Sequence, residues 1–207
     1  MTQFDLFDQD QAEFLKAKTY SEFKSGLVES NCMKCPLHEF RRHIVVDRGN
    51  PSAKVLMIGE APGENEDLQG KAFVGRAGRL LDEMLRDFGF DTNRDSLIIN
   101  VVKCRPPENR QPKPEEAAAC SPFLKKQIDL VKPKIIVLLG ATALKHVMPS
   151  KKDFSMNEEA GRLFESALYP DARMMVLFHP AYILRDPRKK PLMMEHLKNL
   201  ILEWKKL

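Results

Sequence analysis

The sequence predicts an α/β protein, specifically a three-layer α/β/α domain with a small central four-stranded parallel sheet. Four short apolar runs lie along the chain, and none alternates cleanly between apolar and polar residues, which is typical of parallel strands buried on both faces. Segments with helical periodicity lie between these runs, and such alternation favours a parallel sheet covered by helices. The predicted strands are Lys54–Gly59, Ser96–Val102, Lys134–Gly140 and Arg173–His179.

The predicted helices follow from apolar spacing and from start signals. Pro114–Leu130 carries the clearest start, because proline suits the first helical position and Glu115 and Glu116 suit the positive end of the helix dipole. The other predicted helices are Gln11–Glu29, Gly75–Phe88, Ala141–Met148 and Leu192–Lys206.

Length and composition indicate one globular domain. A chain of 207 residues with 43% hydrophobic side chains can bury a core, which excludes a disordered protein. We expect residues 1–12 to form a flexible acidic tail and residues 13–207 to form a single domain. The longest apolar stretch, Ile135–Leu144, is too short to span a bilayer, so no membrane partner is expected. The chain starts with acidic residues and no apolar signal core, which predicts a cytoplasmic protein.

The charge distribution points to a polyanionic partner. The formal net charge is only +4, but residues 1–30 hold three lysines against six acidic side chains, so the rest of the chain is more basic. Lys103–Lys113 and Arg185–Lys190 each contain four basic residues and one acidic residue. Two compact basic segments suit a phosphate backbone, although a solvated surface has the same pattern.

The four cysteines predict a metal site. Cys32 and Cys35 form a C-x2-C pair, and Cys104 and Cys120 are separated by fifteen residues. Cytoplasmic proteins seldom form disulfides, so two such pairs indicate four thiolate ligands rather than two cross-links. Zinc and a [4Fe–4S] cluster both accept this set, and the spacing does not decide between them. Four unrelated buried cysteines are the alternative.

A glycine-rich turn follows the first predicted strand, where ligands bind in parallel sheets. Gly59–Gly63 lacks both the phosphate-loop pattern and the dinucleotide pattern, which disfavours a nucleotide cofactor. Gly75–Gly78 opens a helix whose N-terminus can hold a phosphate group. Asn100 and His179 end later strands and should reach the same edge of the sheet.

Several ordered motifs resemble the family 4, iron–sulfur uracil-DNA glycosylases. The motifs are Gly59-Glu60-Ala61-Pro62-Gly63 with Glu66-Asp67, Phe73–Gly78, Asn100–Pro107 and His179–Arg185. The cysteines fall where that family places its cluster ligands, so the resemblance implies a [4Fe–4S] cluster, with zinc as the alternative. It covers about Cys32 to Arg185.

The resemblance implies hydrolysis of the N-glycosidic bond of uracil in DNA, after the base has been flipped from the stack. Phe73 would stack on the base, the Asn100 amide would pair with its O4 and N3–H, and His179 would donate to O2. Taken singly, these residues also suit a core phenylalanine, a strand-ending asparagine and a core histidine. The implied pocket is Gly59, Glu60, Ala61, Gly63, Glu66, Phe73, Asn100 and His179, with Glu60, Asn100 and His179 as catalytic residues.

The sequence departs from better-known glycosylases at Ala61, where they carry an aspartate that organises the attacking water. Glu60, Glu66 and Asp67 are the remaining candidate carboxylates. We assign Glu60 to water or pocket organisation and Asp67 to loop structure or water, with a helix cap as the alternative for Glu66 and Asp67. Gly63 stands where some relatives have an aromatic residue that blocks the thymine methyl group.

The closing motif supplies candidate DNA contacts. Tyr182, Ile183 and Leu184 could fill the gap left by the flipped base, and Ile183 is the first choice. Phosphate contacts are expected from Arg76, Arg105 and Arg185, and also from Arg110, Arg188, Lys189 and Lys190. Cys104–Arg110 has no histidine, which favours turnover over the covalent complex formed by some relatives.

The N-terminal segment Gln3–Phe7 resembles the peptide with which bacterial proteins dock on the replicative sliding clamp. A plain disordered tail is the alternative.

Two other functions stay open for the whole chain. It could be a metalloprotein that binds uracil-containing or single-stranded DNA without catalysis, or a zinc-containing domain that handles free nucleotides.

Overall fold

A computed structural model describes residues 13–151 and 153–207, so the predicted acidic tail lies outside the described residues. At its centre is a six-stranded sheet in the order β1-β3-β2-β4-β6-β5. The strands are β1 Arg48–Gly49, β2 Val55–Gly59, β3 Ser96–Asn100, β4 Ile135–Leu139, β5 Leu163–Glu165 and β6 Arg173–Leu177.

The four predicted strands form the parallel centre of this sheet, which confirms the fold class. The predicted strand count of four was too small. β1 and β5 pair antiparallel at the two edges, and they contain only two and three residues. Strands this short carry no periodic signal in a sequence.

Eight α-helices of four or more residues lie in the described ranges. They are α1 Tyr20–Glu29, α2 Glu64–Gln69, α3 Arg76–Arg86, α4 Pro114–Val131, α5 Ala141–Val147, α6 Met156–Glu159, α7 Pro180–Arg185 and α8 Lys190–Trp204. α1 begins later than predicted because Thr19 caps it: the Thr19 hydroxyl accepts the backbone N–H of Glu22, and the Glu22 carboxylate accepts the N–H of Thr19. α2, α6 and α7 were missed because they are too short for a periodic pattern. None of the helices that the structure describes is long and apolar enough to cross a membrane.

The sheet separates two apolar cores, as the three-layer prediction requires. On one face, Leu56 of β2 joins Phe23 of α1 and Phe123 of α4. On the other face, Met57 packs with residues of α3 and α8, including Leu81 and Leu197. All five positions of β2, β3 and β4 are buried, which explains why their sequences show no polar alternation.

The parallel register brings the ends of the central strands together. Gly59 at the end of β2 lies opposite Asn100 at the end of β3. Beyond β4 and β6, Gly140 and His179 are neighbours, since a Cβ placed on Gly140 would lie 3.0 Å from the Cβ of His179. One edge of the sheet therefore carries the polar residues that were predicted to share a site.

Candidate active site

An open cavity of about 690 Å³ lies at the carboxyl ends of the parallel strands. Its walls come from the loop after β2, the start of α5 and the start of α7. Most of the predicted pocket residues line it: Glu60, Ala61, Gly63, Glu66, Phe73 and His179. Cys104 and the other cysteines line a separate cavity.

Asn100 is buried directly behind this wall, with 1% of its surface exposed. Neither its amide nitrogen nor its amide oxygen has a hydrogen-bond partner among the described residues. A Cβ on Gly59 would lie 2.6 Å from the Asn100 oxygen and 2.5 Å from the Phe73 ring, so only glycine fits between them. A buried amide without partners is costly, so both of its groups are available to a ligand or to water.

Phe73 is held in an unusual backbone conformation at the pocket. Its φ angle is 54°, in the left-handed region that phenylalanine rarely adopts. Gly78 permits this turn, because a Cβ there would come within 1.8 Å of the Phe73 carbonyl oxygen. The Phe73 ring is tilted towards the imidazole of His179, with 5.7 Å between the ring centres. Strain of this kind persists where surrounding packing fixes a functional side chain.

The protonation of His179 follows from its hydrogen bond. Its Nδ1 is 3.1 Å from the backbone nitrogen of Ala181, and because that N–H can only donate, Nδ1 carries no proton. Burial and then the positive charge of Arg185 lower the pKa of His179 to about 4. The imidazole is therefore neutral at pH 7, with its proton on Nε2.

The pocket carboxylates differ in how they are held. Oε1 of Glu66 accepts the N–H of Gly75 at 2.6 Å, and its Oε2 accepts the N–H of Gly63 at 3.1 Å. Glu60 is held at one oxygen, since the hydroxyl of Thr142 donates to its Oε2. Glu66 therefore joins two loops, whereas Oε1 of Glu60 accepts no hydrogen bond from the described residues.

Asp67 faces away from the cavity. Its buried carboxylate accepts the backbone N–H of Arg42 at 2.8 Å and that of His43 at 3.3 Å. Of the two predicted roles, this geometry supports loop structure and gives no support to water activation. Asp67 fixes the start of α2 to the segment that follows the Cys32–Cys35 pair.

The four cysteines line a second, small cavity of about 20 Å³. Arg41 donates to Sγ of Cys104 at 3.4 Å and to the carbonyl of Cys32 at 2.7 Å. Burial raises the pKa of Cys104 to about 11 and that of Cys120 to about 12. Within residues 13–151 and 153–207, no three Cys, His, Asp or Glu side chains are close enough to hold a metal ion. All four thiols nevertheless line this one cavity, with Cys104 and Cys120 buried and Cys32 and Cys35 half-buried.

Lys103 is a functional candidate that the sequence did not reveal. It was counted in a basic surface segment, but only 1% of its surface is exposed. Its Nζ donates to the backbone carbonyl of Asn100 at 2.5 Å, and it lines the cysteine cavity. Burial lowers its pKa to about 8.

Comparison with known proteins identifies the family of this chain. Residues 46–203 match the family model of the uracil DNA glycosylase superfamily. The chain belongs to that superfamily.

Curated relatives place this uracil-DNA glycosylase superfamily member in the type-4 family, as its motifs predicted. It is 46% identical over 155 residues to the type-4 uracil-DNA glycosylase of Thermotoga maritima, covering 75% of this chain and 79% of the relative. The type-4 enzyme of Sulfurisphaera tokodaii is 40% identical over 175 residues, covering 82% and 79%. That of Saccharolobus solfataricus is 38% identical over 173 residues, covering 82% and 80%.

The predicted DNA contacts of this superfamily member are only partly accessible. Ile183, the first choice for a wedge, is 2% exposed and packs into the core beneath α7, so this conformation does not present it to DNA. Leu184 is 37% exposed, and Tyr182 lines the cavity. The structure thus favours Leu184 over Ile183.

The predicted phosphate-binding arginines also differ in their surroundings. Arg76 is exposed at the start of α3, and Arg185 lines the cavity. Arg105 lies 3.8 Å from Glu64 and donates to the side chain of Asn109. Arg110 is bound at both terminal nitrogens by the Glu116 carboxylate, which leaves it a poor phosphate ligand.

Proposed function

We propose that this chain is a uracil-DNA glycosylase that hydrolyses the bond between uracil and deoxyribose and so starts base excision repair. Its membership of the type-4 family supports the reaction class. The single observation that carries the assignment is the buried Asn100 amide, whose NH2 donor and oxygen acceptor have no hydrogen-bond partner among the described residues.

Base recognition would use Asn100 and Phe73. A flipped uracil presents an O4 acceptor and an N3–H donor, which match the amide nitrogen and oxygen of Asn100. Cytosine presents the reverse pattern at the same positions and is rejected. The Phe73 ring provides a stacking surface beside that amide.

Bond cleavage would depend on the neutral imidazole of His179. Negative charge grows on O2 as uracil leaves, and an N–H fixed in place stabilises it without moving a proton. The hydrogen bond from Ala181 keeps the proton on Nε2, where it can donate. We assign to His179 the stabilisation of the leaving group.

Water would be organised by Glu60. Ala61 supplies no carboxylate, and both oxygens of Glu66 accept backbone N–H groups. Glu60 keeps one oxygen free towards the cavity while Thr142 holds the other. This arrangement orients a carboxylate towards a water molecule at the sugar.

On the DNA, Leu184 would fill the space left by the flipped base, and Arg76, Arg105 and Arg185 would contact flanking phosphates. Replacement of a phosphate-contacting arginine by glutamine should weaken binding to all sequences and reduce its salt dependence. Arg94→Gln is the control, because Arg94 pairs with Asp95 and precedes β3, at the end of the strands opposite the cavity.

We infer that Cys32, Cys35, Cys104 and Cys120 hold a [4Fe–4S] cluster. Four thiols that line one small cavity, with Arg41 and Lys103 beside them, suit a cluster of negative overall charge. The cluster would join the N-terminal arm to the loop after β3. Iron and sulfide analysis together with absorbance near roughly 400 nm tests this assignment, and bound zinc without iron would overturn it.

We also propose that Gln3–Phe7 binds the replicative sliding clamp, a segment that lies outside the described residues. The sequence pattern alone supports it. A synthetic peptide of these residues should compete with the chain for a bacterial clamp, and the Leu6→Ala, Phe7→Ala variant should not.

We propose a cytoplasmic location for the protein, where free thiols are maintained and the DNA substrate is found.

The test of the proposed function is release of free uracil from an oligonucleotide with a single uracil. The metal-loaded protein should release uracil, and a matched oligonucleotide with cytosine in its place should stay intact. Strong binding to the uracil oligonucleotide without release of uracil would instead indicate a DNA-binding protein. The absence of catalysis would then follow from Ala61, which stands where other glycosylases carry an aspartate.

A further inference from the structure

Lys103 lies between two sites that otherwise appear independent. Its Nζ donates to the backbone carbonyl of Asn100, and its side chain lines the small cavity formed by the four cysteines. With 1% of its surface exposed, Lys103 cannot act as a surface phosphate contact.

The carbonyl that Lys103 binds belongs to a residue that pairs with β2 but lies beyond the reach of edge strand β1. Edge strand β1 pairs with β3 only at Leu97 and Ile98, so Asn100 extends two residues beyond that support. The ammonium group holds the main chain where the Asn100 amide leaves the strand. A shift of this carbonyl would displace the amide that faces Phe73.

The charge of Lys103 also needs a partner in the interior, since an unpaired buried charge is strongly unfavourable. Asp47 is nearby, but its carboxylate already accepts hydrogen bonds from Lys24 and Tyr20. Cys104 and Cys120 line the same small cavity as Lys103 and are its other neighbours of potential negative charge. Thiols become thiolates when they bind a metal centre, so a loaded cysteine site provides the missing charge.

We propose that Lys103 is a positioning residue that connects the four-cysteine site to Asn100. Thiolates of the loaded site hold the ammonium group, and the ammonium group holds the main chain of the residue that reads uracil. This inference rests on the proposed glycosylase function and assigns to that function a residue that touches neither the base nor the sugar.

A double-mutant cycle tests the connection to Asn100. Lys103→Met should lower the single-turnover rate of uracil release roughly 10- to 100-fold, as is usual for residues that orient a functional group. In the Asn100→Ala background the same change should lower the rate no further. Equal losses in both backgrounds would overturn the proposal, because general destabilisation acts regardless of Asn100.

Gln127→Met is the matched control. Gln127 is also buried and polar, but it donates to Tyr20 and to the Val46 carbonyl rather than to Asn100. Gln127→Met should therefore lower the rate of uracil release by the same factor in the wild-type and Asn100→Ala backgrounds. If Lys103→Met does not fold, Lys103→Gln keeps a neutral donor of similar length for the same cycle.

Cluster retention provides a readout that does not depend on activity. Lys103→Met should release iron to a chelator faster than the wild type, whereas Lys103→Arg, which keeps the charge, should retain it. Release at the wild-type rate from Lys103→Met would overturn the link to the cysteines. If the wild type releases no uracil, the proposed function fails, and the iron measurement still decides whether Lys103 supports the cysteine site.

Discussion

Glu66 accepts the backbone N–H of Gly75 at 2.6 Å through one oxygen while its other oxygen accepts the N–H of Gly63. One carboxylate therefore joins the turn after β2 to the start of α3, with Phe73 on the segment between. The pocket wall depends on a side chain whose hydrogen bonds all go to backbone atoms.

Glu66→Gln should loosen this wall. An amide has only one acceptor oxygen, so one backbone N–H loses its charged partner, at a cost of about 1.5–3 kcal/mol in the free energy of unfolding. Uracil release should slow as Phe73 becomes less well placed. Denaturant unfolding and single-turnover kinetics measure the two effects. Glu64→Gln, an exposed residue of the same helix, should change neither; an equal loss in that control would contradict the account.

The neutral imidazole of His179 predicts a pH dependence of stability. Its pKa is about 4 in the folded protein, below the value of 6.5 for a free histidine, so the unfolded chain binds more protons between these values. The contribution of the neutral imidazole to the free energy of unfolding is complete above pH 6.5 and is lost as the pH falls towards 4. The loss amounts to about 1–3 kcal/mol.

Comparison with His179→Gln isolates this effect, because all other titrating groups are shared. The difference in unfolding free energy between the two proteins should shift between pH 7 and pH 4.5, with the wild type losing more. A constant difference across this range would mean that the imidazole is not held neutral.

Leu184 and Ile183 are adjacent residues with opposite surroundings. Leu184→Ala should leave the free energy of unfolding nearly unchanged and lower uracil release from double-stranded DNA by roughly tenfold, because the gap in the stack stays unfilled. Single-stranded DNA has no such gap and should be cleaved normally. Ile183→Ala should cost about 2–5 kcal/mol of stability through the cavity it leaves. The reverse pattern would restore Ile183 as the wedge.

Gly59→Ala should abolish uracil release with a modest loss of stability. The added Cβ would lie within 2.6 Å of both the Asn100 oxygen and the Phe73 ring, so one of them must move. Gly63→Ala would place its Cβ 2.7 Å from Oε2 of Glu66 and should retain more activity, because it displaces neither Asn100 nor Phe73 directly. Comparable rates of uracil release for Gly59→Ala and the wild type would show that Asn100 and Phe73 need not keep their positions beside Gly59.

The sequence revealed those features that depend on local pattern. Apart from Arg173 at the start of β6, the central strands are buried along their whole length, so their apolar runs were visible. Asn100 and His179 were found because they end such runs. The edge strands were not found, since two or three residues paired to a distant strand have no signature of their own.

Features that depend on tertiary placement escaped the sequence. Ile183 and Leu184 are equally apolar, and only the packing of α7 decides which faces the core. Lys103 and Arg110 both count as basic, yet one is buried under Asn100 and the other is neutralised by Glu116. A charge count records how many basic residues a segment contains, whereas their availability to DNA depends on how the chain folds back.

The most direct measurement is the single-turnover rate of uracil release by the wild type and by Asn100→Ala on the same uracil-containing oligonucleotide, with binding to abasic DNA as the control for folding. We predict that the wild type releases uracil and that Asn100→Ala is slower by roughly 100-fold or more, equivalent to two lost hydrogen bonds in a buried site, while both bind abasic DNA alike. Equal rates for the two proteins would contradict the claim that the buried Asn100 amide reads the base.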